Sequence, residues 1–157
     1  MKRYCIIFLS LCMLLCACGR EMRDADIETV SSAVLGAINE SNTLTPADAD
    51  FTSTNFAPGD GVEAARIYLG ENKEIGIFRL KEGVGASTIE GTVRDYLQSE
   101  ANATSTLLDL YPDEKLEEKL NLYKNATVLQ SGRYLCYLVL PKEETEKVKS
   151  ALYGALS

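Results

Sequence analysis

The sequence predicts a single α+β domain in which two β-hairpins form an antiparallel sheet with helices packed on it, in the order α-β-β-α-α-β-β-α. Three observations lead there. Apolar residues recur at helical spacing in four stretches, two pairs of β-rich runs are each joined by a tight turn, and only about 140 residues remain once an N-terminal signal is set aside, which suits one hydrophobic core.

Ile27, Val30, Val34 and Ile38 form the first helical stripe, widened by Leu35, and the helix is expected to start at Asp26 and end near Asn39. From Ser41 to Gly61 the chain is rich in Pro, Gly, Asp and Thr and reads as a long loop pinned by Leu44, Phe51 and Phe56. Loops of that length in small domains are often functional. Ala64–Leu69 and Glu74–Leu80 are strand candidates joined by Gly70-Glu71-Asn72-Lys73. Gly83 and Gly85 then read as a turn. Ser87 with Glu90 forms a capping box for a helix whose stripe is Ile89, Val93, Tyr96, Leu97 and Ala101.

Tyr111-Pro112-Asp113 breaks that pattern, because Pro disfavours helix in the residue before it and is tolerated in a first turn. A short helix follows with Leu116, Leu120 and Tyr123 on one face. Thr127–Gln130 and Arg133–Leu140 flank Ser131-Gly132 as a second hairpin. The later strand is apolar on both faces, which predicts a central strand covered on each side. Glu144–Leu156 closes the chain as a helix with Val148, Leu152 and Leu156 as its stripe.

The N-terminus carries the strongest functional signal. Met1-Lys2-Arg3 precedes an apolar run from Tyr4 to Ala17, which is too short for a lasting membrane span and is followed at once by Gly19, Arg20 and Glu21. Leu15-Cys16-Ala17-Cys18 has the order of a lipobox: an aliphatic residue, a tolerant position, a small residue for the peptidase, and a cysteine whose thiol takes up lipid. Residues 1–17 are therefore expected to be a lipoprotein signal peptide cleaved between Ala17 and Cys18, residues 18–25 a tether, and 26–157 the extracytoplasmic domain. Acylation of Cys18 by a diacylglyceryl group and a further chain such as palmitate would anchor the protein firmly, since each buried CH₂ contributes about 0.8 kcal/mol.

Composition closes several function classes. Histidine is absent, so Ser-His and Cys-His nucleophile pairs and ordinary zinc sites are excluded. The formal charge of −7 becomes about −9 when Lys2 and Arg3 leave with the signal, and an acidic surface excludes nucleic acid as a partner. Of five cysteines only Cys136 remains unlipidated after cleavage, so no disulfide forms within the domain, and its place in an apolar strand marks it as core.

Asp48 and Asp50, with Asp60 nearby, alternate with Thr52 and Thr54 like the start of a calcium loop, but the Gly and Glu that an EF-hand requires are missing. No metal or other cofactor is expected, and the three aspartates stand only as weak metal candidates and as first suspects for carboxylate chemistry. Phe51, Phe56, Tyr68 and Tyr137 are candidates for a partner surface, the tyrosines on a sheet face that the helices leave open.

The order Tyr111-Pro112, Leu116, Leu120, Val128, Gly132-Arg133-Tyr134, an apolar strand, Pro141 and a closing helix, with Glu74-Ile75-Gly76-Ile77-Phe78 upstream and the lipobox, resembles the clostridial lipoproteins catalogued as domain of unknown function 4358. The resemblance spans Ile27 to Leu156 and implies a Gram-positive cell envelope location, without implying an activity. The expectation is a lipid-anchored, extracytoplasmic binding or accessory protein that contacts an envelope protein, peptide or wall component. The alternatives are a carboxylate enzyme and an accessory subunit of a transporter or sporulation complex.

Overall fold

The structure, a computed structural model, describes residues 24–39 and 41–157. The signal, the cleavage site at Ala17 and Cys18 and the tether as far as residue 23 lie outside the described residues. Helix α1 (Ile27–Gly36) is capped by Asp26, whose carboxylate accepts from Thr29 N at 2.8 Å, and it buries Ile27, Val30 and Val34. It stops about one turn before the expected end, with Ala37 as its C-cap.

The stretch expected as a long loop is largely structured. It contains a 3₁₀ turn (Ser41–Thr43), a two-residue strand β1 (Thr45–Pro46) and a two-turn helix α2 (Ala49–Phe56). The helix is built from Asp, Ser, Thr and Asn, residues of poor helical propensity, and has little periodicity to announce it. A local cap and a tertiary contact hold it: Asp48 accepts from Phe51 N at 2.7 Å, and Phe56 at its end is buried in the core. Ala57, in the left-handed conformation ahead of Pro58, ends it.

β2 (Val62–Leu69) and β3 (Glu74–Leu80) form the first hairpin, with Leu69 opposite Glu74. Helix α3 (Ser87–Leu110) runs unbroken for 24 residues. The expected capping box does not form: Ala86 occupies the cap position without a side-chain bond, Ser87 lies inside the helix, and Glu90 is drawn instead to Arg94, one turn on, at 2.7 Å. Helix α4 (Glu114–Lys124) starts after Pro112 on an Asp113 cap.

The second hairpin pairs β4 (Thr127–Ser131) with β5 (Tyr134–Val139). Its turn is Gly132-Arg133, one residue later than predicted, with Gly132 at φ 55°, where a side chain would be strained. Helix α5 (Lys142–Ala155) follows Pro141.

The strands form one antiparallel sheet in the order β1-β2-β3-β5-β4, the hairpins being joined by β3 against β5. One face packs Ile75, Ile77, Cys136 and Leu138 against α1 and α5 through Val30, Val34, Val148 and Leu152. The other packs Phe78, Leu135, Tyr137 and Val139 against α2, α3 and α4 through Phe56, Val93, Tyr96 and Tyr123. The result is three layers, helix, sheet and helix. Covering both faces corrects the expectation of an open sheet face, and it follows from the chain order: α1 and α5, at opposite ends of the sequence, meet on the side that the central helices leave free.

Candidate functional site

The most distinctive chemistry of the described residues is a carboxylate in the core. Glu74, at the start of β3, is only 3% exposed and points to the same face as Gly76 and Phe78. Tyr96 of α3 donates its hydroxyl to both carboxylate oxygens, at 2.9 and 3.0 Å, Tyr123 of α4 donates to Oε2 at 2.7 Å, and Tyr137 of β5 donates to Oε1. Strand pairing sets this up, because Tyr137 stands opposite Gly76 and its ring lies across the glycine, so the hydroxyl reaches the residue two places along β3.

Burial pushes the Glu74 carboxyl above the ordinary range, although the three hydroxyls act in the opposite direction. The same burial, with Glu74 beside them, raises the phenols of Tyr96, Tyr123 and Tyr137, so all three remain protonated donors. Phe56 seals the cluster, 4.7 Å from the Tyr96 ring and 5.6 Å from that of Tyr137, centroid to centroid. A carboxylate so enclosed and so fully bonded ties α3 and α4 to the sheet; its geometry suits cohesion rather than proton transfer to a substrate.

The predicted candidates fall elsewhere. Phe56, Tyr68 and Tyr137 are buried, at 1%, 8% and 0% exposure, and Phe51 is half-buried with its ring edge-on to Tyr96. Their assignment to a partner surface is therefore overturned for the first three: with both sheet faces covered, the aromatic residues are the core. Asp48 is a helix cap, Asp50 stands in the first turn of α2, and Asp60 is exposed in the loop before β2. Among the described residues no three His, Cys, Asp or Glu side chains gather into a cation site. Cys136 is wholly buried, and burial pushes its thiol up to about 12, which leaves it unreactive.

A cleft of about 540 Å³ runs between α2 and the first half of β2 and is lined by Asp48, Thr52, Glu63 and Arg66. Each charged group there already has a partner: Asp48 in its cap, Glu63 with Arg79 and Arg133, Arg66 with Glu28. Exposed apolar surface lies instead at the tip of the α3–α4 hairpin, where Leu107, Leu110 and Tyr111 are 48%, 66% and 68% exposed within one helical turn. Sequence reasoning missed that tip, since nothing local to Leu107, Leu110 and Tyr111 says that no element covers them.

Over the described residues, fold and site together define a three-layer α+β domain with a closed polar core and an exposed apolar tip. Among its described residues no helix is long and apolar enough to cross a membrane. No protein-family model, curated protein or solved structure matches the chain.

Proposed function

We propose that this chain is a bacterial lipoprotein of the cell envelope, held on the outer face of the cytoplasmic membrane through lipid on Cys18, whose domain binds a protein partner and does not catalyse a reaction. The observation that carries the anchor is the order Leu15-Cys16-Ala17-Cys18 behind a cationic start and an apolar run. The likeness to the clostridial lipoproteins of domain of unknown function 4358 agrees with that location.

Support for binding comes from the contrast between the tip and the interior. Leu107, Leu110 and Tyr111 expose apolar surface in one patch, the kind of surface that marks a protein contact. Among the described residues Glu74, the carboxyl that burial raises, is sealed and satisfied, while the aspartates suspected of chemistry are a helix cap and two exposed groups. An enzyme working through carboxylates would need an acid and a base converging on a cleft.

Two measurements test this reading. Cys18→Ala should abolish lipid labelling and either release the protein from membranes or stall its processing; unchanged labelling and retention overturn the anchor. A photo-crosslinking residue at Leu110 should capture a discrete envelope protein in intact cells, with no such product from Glu146 on α5. Equal capture at both positions overturns the tip as the contact.

A further inference from the structure

The chain enters the fold at one end of the sheet and is fastened there. Asp24 bonds Arg79 Nη2 through Oδ1 at 2.8 Å and Arg133 Nη1 through Oδ2 at 3.1 Å. Glu63 completes a ring, with Oε1 3.1 Å from Arg79 Nη1 and Oε2 on Arg133. Two guanidinium groups thus alternate with two carboxylates contributed by the start of the domain, β2, β3 and the β4–β5 turn. Arg133 Nε also donates to Leu80 O at 2.9 Å, and Tyr134 donates its hydroxyl to Ala25 O at 2.7 Å. Single exposed ion pairs hold little, but here both arginines are partly withdrawn from solvent and share their partners.

The geometry of the sheet says which end this is. Lys81 N donates to Gly61 O at 2.9 Å and Leu80 N to Arg133 O at 2.7 Å, so Gly61, Lys81 and the Gly132-Arg133 turn lie together beside Asp24. The β2–β3 turn lies at the opposite end, about 23 Å away along β3. Helix α3 leaves the near end, is level with Glu74 by Tyr96, and continues to Leu110, a further ~21 Å along its axis. Lys115, at the start of α4, pairs with Glu71 of the far turn at 3.2 Å, which keeps the α3–α4 tip on that side.

Six residue steps separate Cys18 from Asp24, a reach of at most ~22 Å when fully extended. Turning the tip to the bilayer would lift Asp24 by the sheet length plus the helix overhang, ~40 Å, which that connection does not span.

Resting on the lipid-anchor reading of Cys18, we infer that the domain has a fixed polarity on the membrane: the sheet end formed by Gly61, Lys81 and Arg133 faces lipid headgroups, and the Leu107–Tyr111 tip projects away toward its partner. The anchor and the fastening at Asp24 act together, the first setting the distance and the second choosing the end.

The test uses the full lipidated protein, purified from membranes and placed in phosphatidylcholine and phosphatidylglycerol vesicles carrying a headgroup nitroxide. A fluorophore is attached at Lys81→Cys in one variant and at Glu114→Cys in another; buried Cys136 does not compete for label. Quenching should be severalfold stronger at position 81, and a flexible Gly-Ser insertion of roughly thirty residues after Arg23, whose coil spans about 30 Å, should bring the two positions close together. Equal quenching at both positions without the insertion overturns the polarity, as does a difference that the insertion leaves unchanged. Recovery of the protein unlipidated and in the soluble fraction overturns the anchor itself, and the polarity with it.

Discussion

The ring of Tyr137 occupies the space in which residue 76 would carry a β-carbon: one built on Gly76 comes within 2.6 Å of Tyr137 Cζ and closer still to Cε1. Gly76 and Tyr137 stand opposite one another on β3 and β5, both at the centre of the sheet, so neither strand can shift to make room without disturbing its neighbours. The glycine is thus what lets the tyrosine lie flat and place its hydroxyl on Glu74.

Gly76→Ala should therefore destabilise the domain by about 2 kcal/mol or more, since over-filling a packed core typically costs about 1–3 kcal/mol and this one also displaces a buried hydrogen bond. Urea unfolding of the domain measures it. A change of only a few tenths of a kcal/mol would mean that the ring moves aside freely.

Glu74 separates charge from hydrogen bonding. Glu74→Ala strands three buried hydroxyls and should cost about 3 kcal/mol, whereas Glu74→Gln keeps an acceptor and should lie within about 1 kcal/mol of the parent. Equal losses in the two variants would show that packing alone matters at this position.

The same carboxyl gives a pH dependence with a defined sign. Its pKa in the fold is raised above the unfolded value, so its contribution to stability is fully present below the unfolded pKa and is lost as pH rises through the raised one. Stability measured against pH should show a decline above the ordinary carboxylate range that is missing from Glu74→Gln. A decline of the same size in the variant would assign it to other groups.

Asp24 behaves in the opposite way. Its hydrogen bond to Arg79 holds the carboxyl below the usual range, so the fastening is present above the unfolded pKa and is lost as pH falls through the lowered one. Amide exchange in the first turn of α1 should accelerate at acid pH relative to the core strands, and Asp24→Asn should show faster exchange already at neutral pH. Identical protection in parent and variant would mean that Tyr134 alone holds this end.

At the tip, Leu110→Ser and Tyr111→Ser should leave stability within about 0.5 kcal/mol of the parent, because exposed positions contribute little to folding, while capture of the envelope partner from Leu107 is lost. Unfolding midpoints and the crosslinking yield are read on the same variants; a large loss of stability would place these residues in the fold's own packing.

Elements with a local cause were legible before any coordinates. The β3 boundaries, the Pro112 break, the Val148, Leu152 and Leu156 stripe and the two apolar faces of β5 follow from side-chain period and from the backbone limits of proline, which act within a few residues. Helix α2 was not legible, because its residues are weak helix formers and its stability comes from Phe56 meeting rings on β3, α3 and β5. The Ser87 capping box was misread in register: the pattern was present, but the helix begins with Ser87 already inside it and Ala86 at the cap, and Glu90 pairs with Arg94.

The sequence by itself determined the α+β class and the kind and order of the elements outside Ser41–Gly61, since these depend on interactions between near neighbours in the chain. Only the tertiary structure decided that both sheet faces are covered, that Glu74 meets hydroxyls from α3, α4 and β5, and that Asp24 is bound by arginines 55 and 109 residues away. Such contacts join segments with no shared pattern in sequence, and they exist because burying a carboxylate or an arginine is tolerable only where the fold supplies its partners.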